Sequence, residues 1–321
     1  MRIRLANIAR ANQLIDPAFL NTPQFVCEPL ATELGVRVVT KIETLNPIRA
    51  FKGRGADSFV RQLEDPAPLV AASAGNFGQA LAWSCRARGI PLTLFAAESA
   101  NPLKVSRMRD LGATLRLEGA DFDDAKARAR AYAEDRSLRF VEDGREPAIT
   151  EGAGTIGIEL LRWPEPFAAV LVPLGNGALV NGIGTWLKAN SPETRVIGVC
   201  AAGAPAMEQS WRTGKRVETE QTNTIADGIG VRVPVPEALD DMRHAVDDVV
   251  LVNDETLLQA MRLVWRTMGV MLEPAGAAGV AAAITHGAEL RGGTIATVLC
   301  GGNVTPADAA RWFSAKQPSS A

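Results

Sequence analysis

Histidine, cysteine and excess charge are what this chain has least of, and each shortage removes a class of function. The two histidines, His244 and His286, stand in none of the spacings that build structural zinc sites. The four cysteines, Cys27, Cys85, Cys200 and Cys300, are widely spread without a C-x-x-C pair, so a disulfide framework is not expected and a reducing, cytoplasmic setting is. With 34 basic residues against 36 acidic ones the formal charge is only −2, and no block of like charge offers a footprint for nucleic acid or anionic lipid. Long apolar runs are missing as well. The opening MRIRLANIARANQLID is too interrupted for a secretory signal, and the most apolar stretch, AGAAGVAAAI at 275–284, is too short to span a bilayer. Neither export nor membrane attachment is expected.

What is present is the composition of an ordinary globular enzyme, 47% hydrophobic and 22% charged. A length of 321 residues exceeds what one hydrophobic core organises, which predicts two domains. From about residue 69 short apolar runs alternate with helical patterns: LVAAS, a helix to about Arg88, PLTLFA, a helix ending near Gly112, ATLRL, the helix DDAKARARAYAED, and LRFVE. The pattern resumes after residue 150 with AAVLVP, a helix opening near Ala178, RVIGVC, an irregular stretch to about 245, DDVVLV, two helices and TIATVLC. Such alternation with short connections predicts parallel, helix-covered sheets.

Because VRVVTKI at 36–42 reads as a strand ahead of the first block, the small domain is expected to be inserted in the large one. The fold class is therefore α/β, with two open, mostly parallel sheets and helices on both faces. Residues 46–145 form the small domain and residues 1–45 with 146–321 the large one. No internal repeat is present, the tail KQPSSA is expected to fray, and no regulatory domain is expected after the last strand.

Four segments put glycines beside a polar residue at the C-terminal end of an apparent strand, where open α/β sheets bind ligands. In NPIRAFKGRGA (46–56), Lys52 lies between Phe51 and flexible backbone at Gly53, at an expected helix start. Desolvation and the positive helix end both disfavour an ammonium there, as a Schiff-base lysine requires. The plain alternative is a surface lysine with Arg54 as a second solvated charge. In ASAGNFGQALAW (72–83), Ser73, Gly75 and Asn76 offer hydroxyl, amide and backbone N–H groups at a strand-to-helix turn that suits a carboxylate, or that simply caps the helix. VPLGNGALVNGIG (172–184) leads through a glycine-rich turn into a helix whose first N–H groups suit a phosphate. It has neither the lysine of a Walker loop nor the spacing of a dinucleotide fingerprint, and tight helix–strand packing is its alternative. In TIATVLCGGNV (294–304), Cys300 ends the apolar run, where its thiol can hydrogen-bond to a ring nitrogen or act as a small buried hydrophobe.

Together, and in this order, these segments resemble the fold-type II pyridoxal-phosphate family, particularly its serine/threonine dehydratase branch, over nearly the whole chain. The runs TIADGIGV at 224–231 and LEPAGA at 272–277 add to the likeness. The resemblance implies a tryptophan synthase β-like fold and pyridoxal 5'-phosphate as cofactor. It implies that Lys52 holds the cofactor covalently and later shuttles the Cα proton, that Phe51 packs on the cofactor ring, and that Asn76 holds the ring hydroxyl. Ser73, Ala74, Gly75, Asn76 and Phe77 would bind the substrate carboxylate. Backbone N–H groups of Gly175, Asn176, Gly177 and Ala178, with Leu179 beside them, would bind the cofactor phosphate. Cys300 would face the pyridine nitrogen, and Glu273 and Gly228 would stand behind the site. An uncharged thiol need not keep that nitrogen protonated, so the ring is a weaker electron sink and loss of a β-leaving group competes well with transamination. The implied reaction is loss of the β-hydroxyl from a serine- or threonine-like amino acid to give a 2-oxo acid and ammonia, with the cofactor phosphate as the family's proton donor to the hydroxyl.

The departures from the family pattern bear on specificity. Ala74 stands where family racemases carry a serine that acts as acid/base on the opposite face, which ranks elimination above racemisation. Phe77 replaces a histidine, and Ala50 a serine or threonine. Asn176 and Ala178 stand where dehydratases often have glycine, and Asn176 is expected to need a positive φ. CAAGAPAM at 200–207 lacks an Asp or Glu where some relatives bind a divalent metal, so no metal is expected there. Arg107 and Arg109 are expected on a solvated helix face, while 101–110 and 203–224 are expected to line or cover the pocket.

Two rivals stand beside elimination: a β-replacement enzyme of the cysteine synthase or threonine synthase kind, and a non-catalytic amino-acid or cofactor binding protein. SAGNFG argues against the first and the presence of Lys52 against the second. Serine, threonine, an aryl-serine, a hydroxyaspartate and a diamino acid all present the same α-centre. A small amino acid as ligand and a homodimer as assembly are expected.

Overall fold

A computed structural model describes residues 2–290 and 292–313; the tail KQPSSA lies outside the described residues. The strands are β1 (Gln24–Val26), β2 (Val38–Ile42), β3 (Leu69–Ala72), β4 (Leu92–Ala96), β5 (Thr114–Leu117), β6 (Arg139–Val141), β7 (Ala169–Pro173), β8 (Arg195–Ala201), β9 (Asp248–Val252) and β10 (Ile295–Leu299). The α-helices of the first half are α1 (Leu5–Leu14), α2 (Glu28–Leu34), α3 (Lys52–Arg61), α4 (Asn76–Ala87), α5 (Pro102–Asp110), α6 (Phe122–Asp135) and α7 (Pro147–Leu160). Those of the second half are α8 (Ala178–Asn190), α9 (Ala206–Thr213), α10 (Pro236–Ala245), α11 (Asp254–Met268), α12 (Ala278–His286) and α13 (Pro306–Phe313).

These strands form a six-stranded sheet in the order β1-β2-β10-β7-β8-β9 and a four-stranded sheet in the order β5-β4-β3-β6. Only β1 runs antiparallel to its neighbour; every other pairing is parallel. The apolar runs of the sequence follow from this, because parallel strands covered by helices are buried on both faces. Side chains alternate between those faces. In β10, Ile295 and Leu299 join one core while Ala296 and Val298 join the other. In β3, Leu69 and Ala71 face one core and Val70 and Ala72 the opposite one. The fold is the α/β class expected.

Several elements escape the sequence pattern. β1 is three residues long and only partly buried, too short to show alternation. In α7 eleven of fourteen residues are buried, so it has no polar face and no readable helical period. The stretch expected to be irregular contains α9 and α10.

Arg54, expected as a solvated charge in the plain reading, is fully buried. Its guanidinium donates to Glu43 through Nε and Nη2, each at 2.8 Å, and to Glu159 through Nη1 at 2.7 Å and Nη2 at 2.9 Å. Lys41 also pairs with Glu159 in the same buried cluster. Two cations and two carboxylates thus tie α3 to β2 and α7, and α3 is the helix that begins with Lys52.

Candidate active site

The segments that follow β2, β3, β6, β7 and β10 all leave the carboxyl ends of parallel strands, the edge where open α/β sheets place their ligands. Backbone pairing locks two of them together. Phe51 N–H donates to the Cys300 carbonyl at 3.0 Å, Gly302 N–H donates to Arg49 at 3.0 Å, and Ala50 bridges to Gly301. Lys52 is therefore set beside Cys300 by the backbone, and flexible backbone plays no part, since a Cβ on Gly53 would meet the Phe19 ring at 2.2 Å.

The Lys52 amine lies 4.7 Å from the Phe51 ring centroid and 6.0 Å from that of Phe77. It donates to Asp143 Oδ2, and both side chains are nearly buried. Cys300 is 5% exposed, and burial pushes its thiol well above the usual range, so it is a neutral S–H.

Gly177 adopts φ +89° at the start of α8, and that helix has no side-chain cap. Its first N–H groups thus remain available to an anion. The positive φ falls on Gly177 and not on Asn176, correcting the expectation for Asn176: glycine absorbs the turn without steric cost. Gly175 packs against Gly228, whose carbonyl oxygen would lie 2.6 Å from a Cβ at 175. Ala178 and Leu179, the next two residues, are buried.

On the facing side, Ser73 Oγ accepts from the N–H groups of Gly75 at 3.2 Å and Gly78 at 3.0 Å. Its hydroxyl proton is left to donate. Ala74 and Gly75 are half-buried between it and Asn76. The Asn76 amide is held at both ends: Nδ2 donates to Glu273 Oε1 at 2.5 Å and Oδ1 accepts from Asn303 Nδ2 at 2.8 Å. Burial pushes the Glu273 carboxyl above its usual range, with Lys104 and the Asn76 bond opposing. Gly301 leaves the room for this carboxylate, because a Cβ there would stand 1.9 Å from Glu273 Oε1.

Arg107, expected on a solvated helix face, instead donates to Asn303 Oδ1 at 2.8 Å and so joins the polar chain that ends at Asn76. Asp143 and Asn303 were not singled out as site residues. Asn303 stood in the CGGN run, where its asparagine was the available signal; Asp143 directly followed the LRFVE strand run, but in a charged turn that reads as solvated. Among the described residues no group of three His, Cys, Asp or Glu side chains is placed to hold a metal ion.

A family model described as "Pyridoxal-phosphate dependent enzyme" matches residues 15–301. An L-threonine ammonia-lyase of Geobacter sulfurreducens is 38% identical over 275 residues, which are 85% of this chain and 68% of that protein. Among solved structures, a threonine deaminase of T.th. superposes with a TM-score of 0.89 at 33% identity, over 94% of this chain and 98% of that one. A maize serine racemase gives the same TM-score of 0.89 at 26% identity, over 96% of this chain and 95% of that one.

Proposed function

The chain belongs to the pyridoxal-phosphate-dependent enzyme family, and we propose that within it the protein is an ammonia-lyase that removes the β-hydroxyl of a serine- or threonine-like amino acid, giving a 2-oxo acid and ammonia. The observation that carries this reading is the meeting of one lysine amine, one uncapped glycine turn and one neutral thiol where the strands of both sheets end. The donor set fits pyridoxal phosphate. Lys52 would offer an amine to its aldehyde, the start of α8 (Gly175, Asn176, Gly177, Ala178 and Leu179) would hold its phosphate, Cys300 and Asn76 would serve its ring nitrogen and ring hydroxyl, and Phe51 would pack on the ring. Glu273 and Gly228 support Asn76 and the glycine turn from behind.

When bound, the cofactor supplies an electron sink that acidifies the substrate's Cα–H. The remaining work falls to the chain. Lys52 takes the Cα proton on Nζ. The Ser73–Phe77 loop binds the substrate carboxylate, with the free hydroxyl proton of Ser73 as donor, and Phe51 and Phe77 keep water from the lysine. Ala74 brings no acid to the face opposite Lys52, so the Cα proton is not returned with inverted configuration. That distinction matters because the fold itself is shared with a racemase. The names of the similar proteins, a threonine ammonia-lyase and a threonine deaminase, support a β-hydroxy amino acid as substrate.

The division into residues 46–145 and residues 1–45 with 146–321 is supported by the sheets, since β3 to β6 all fall within the first range and the other strands within the second. Four free, buried cysteines support a reducing, cytoplasmic setting, and among the described residues no helix is long and apolar enough to cross a membrane. A homodimer completes the reading.

Adding pyridoxal phosphate to the purified protein should raise a visible absorbance band, and a panel of β-hydroxy amino acids should release 2-oxo acid and ammonia. Lys52→Ala should abolish both. Turnover retained in that variant overturns the assignment.

A further inference from the structure

Asp143 is an acid in contact with the reactive lysine, and the chemistry described so far gives it no task. It lies in the loop between β6 and α7, and its Oδ2 accepts the hydrogen bond from Lys52 Nζ. Its Oδ1 is buried and has no hydrogen-bond partner. Native structures rarely bury a carboxylate oxygen without a donor, and a catalytic role is one of the few reasons they do.

The loop is also built to hold this carboxylate still. Glu142, the preceding residue, pairs with Lys126 and Arg130, each at 2.6 Å. Gly144, the following residue, has φ +83° and packs so closely on the glycine turn that a Cβ there would lie 2.4 Å from the Asn176 carbonyl oxygen. Arg2 donates to the Gly144 carbonyl at 3.2 Å and to that of Arg145, and pairs with Asp241 at 2.6 Å. Of the other acids and thiols nearby, Glu273 accepts from Asn76, and the Cys300 thiol, 3.7 Å from the Ala275 carbonyl, is kept neutral by burial and makes no hydrogen bond with Lys52 Nζ.

We propose that Asp143 is a catalytic acid of this site, receiving from Lys52 the proton taken from the substrate's Cα and delivering it to the departing β-hydroxyl. This rests on the elimination reading above. The Lys52 lone pair takes the Cα proton, and the resulting ammonium passes it across the Nζ–Oδ2 hydrogen bond. The Asp143 carboxyl then gives that proton to the β-oxygen as the Cβ–O bond breaks, with both bonding electrons going to oxygen. Water leaves, Lys52 returns to the amine and Asp143 to the carboxylate, so the cycle needs no outside acid. The protein thereby performs a step that the family resemblance gave to the cofactor phosphate, and the need for Asp143 depends on the leaving group.

The test compares a substrate whose leaving group needs a proton with one whose leaving group does not. In Asp143→Asn, kcat for the preferred hydroxy amino acid should fall about a hundredfold or more, the usual worth of a general acid, while release of chloride from β-chloroalanine should change less than about tenfold. If Asp143→Asn does not fold, Asp143→Glu displaces the carboxyl by one methylene and should show the same selective loss, smaller in size.

A second readout needs no bound cofactor. Labelling of Lys52 in the cofactor-free protein by an amine-reactive reagent, followed by mass spectrometry, should be several-fold faster in Asp143→Asn, because the carboxylate that accepts the hydrogen bond from Nζ is then gone. Equal losses on both substrates, no loss on either, or unchanged labelling would overturn the proposal. Failure of the elimination reading itself looks different: the wild type would then release no 2-oxo acid from either substrate.

Discussion

The substitution Glu159→Gln tests whether the buried ion cluster holds α3, and with it Lys52, in place. In the native chain Lys41 and Arg54 meet Glu43 and Glu159 with every side chain at most 2% exposed. Glu159 accepts from Arg54 at 2.7 and 2.9 Å, from Lys41, and from the Asn21 N–H at 2.8 Å. Glutamine keeps the shape, yet it offers one acceptor oxygen and turns an amide N–H2 toward a cation. The cluster is then left with one uncompensated positive charge. Breaking a buried pair from one side costs roughly 3–5 kcal/mol, a large part of the roughly 5–15 kcal/mol that separates folded from unfolded proteins. Urea unfolding should therefore show a midpoint lowered by that amount divided by the slope, with the slope unchanged. A loss below about 1 kcal/mol, the worth of a solvated surface pair, would refute the reasoning.

The variant has one way to relieve that charge, and it fixes the sign of a pH dependence. Burial lowers the Lys41 pKa below the ordinary 10.5, against the pull of Glu43 and Glu159. Removing the Glu159 charge lowers it further, so the folded variant sheds the Lys41 proton before the unfolded chain does. Stability rises with pH wherever the unfolded state binds more protons. The deficit of Glu159→Gln should thus shrink as pH climbs toward 10.5, and a flat deficit would place the lost interaction elsewhere.

Two further outcomes follow from the same geometry. Burial alone would raise the Glu159 pKa, but Arg54 and Lys41 hold it at about 2 against an ordinary 4.5. Its folded value lies below its unfolded one, so its stabilisation is complete above about 4.5 and is lost as pH falls toward 2; urea midpoints of wild type and Glu159→Gln should converge over that window. Asn303→Ala removes the donor that orients the Asn76 amide. Pyridoxal phosphate affinity, titrated by its visible band, should fall about fivefold to tenfold, equivalent to the roughly 1 kcal/mol of one net hydrogen bond; unchanged affinity would show that Asn76 needs no such support.

Lys52, Ser73, Asn76, the glycine turn and Cys300 could be singled out because each lies at or beyond the end of an apolar strand run, and in a parallel sheet the end of the run is where ligands bind. Asp143 has the same address, after β6, which the run LRFVE announced, but the residues around it are charged and carry no glycine-rich pattern like the other four segments. The run EDGRE then reads as a solvated turn. Arg54 and Arg107 were misjudged for a related reason: a charge is solvated by default unless a partner buries it.

Those partners come from far along the chain. Arg54 meets Glu159 across 105 residues, Lys52 meets Asp143 across 91, and Asn76 meets Glu273 across 197 and Asn303 across 227. Local periodicity reports none of these separations. It does report the lysine, the glycines and the thiol, whose chemistry is intrinsic to the residue type. The hydrogen bond of that lysine, the orientation of that amide and the route of a proton depend on pairs instead. The class of reaction was therefore readable from single residues, whereas the choice of leaving group, which turns on Lys52 and Asp143 acting together, required the fold.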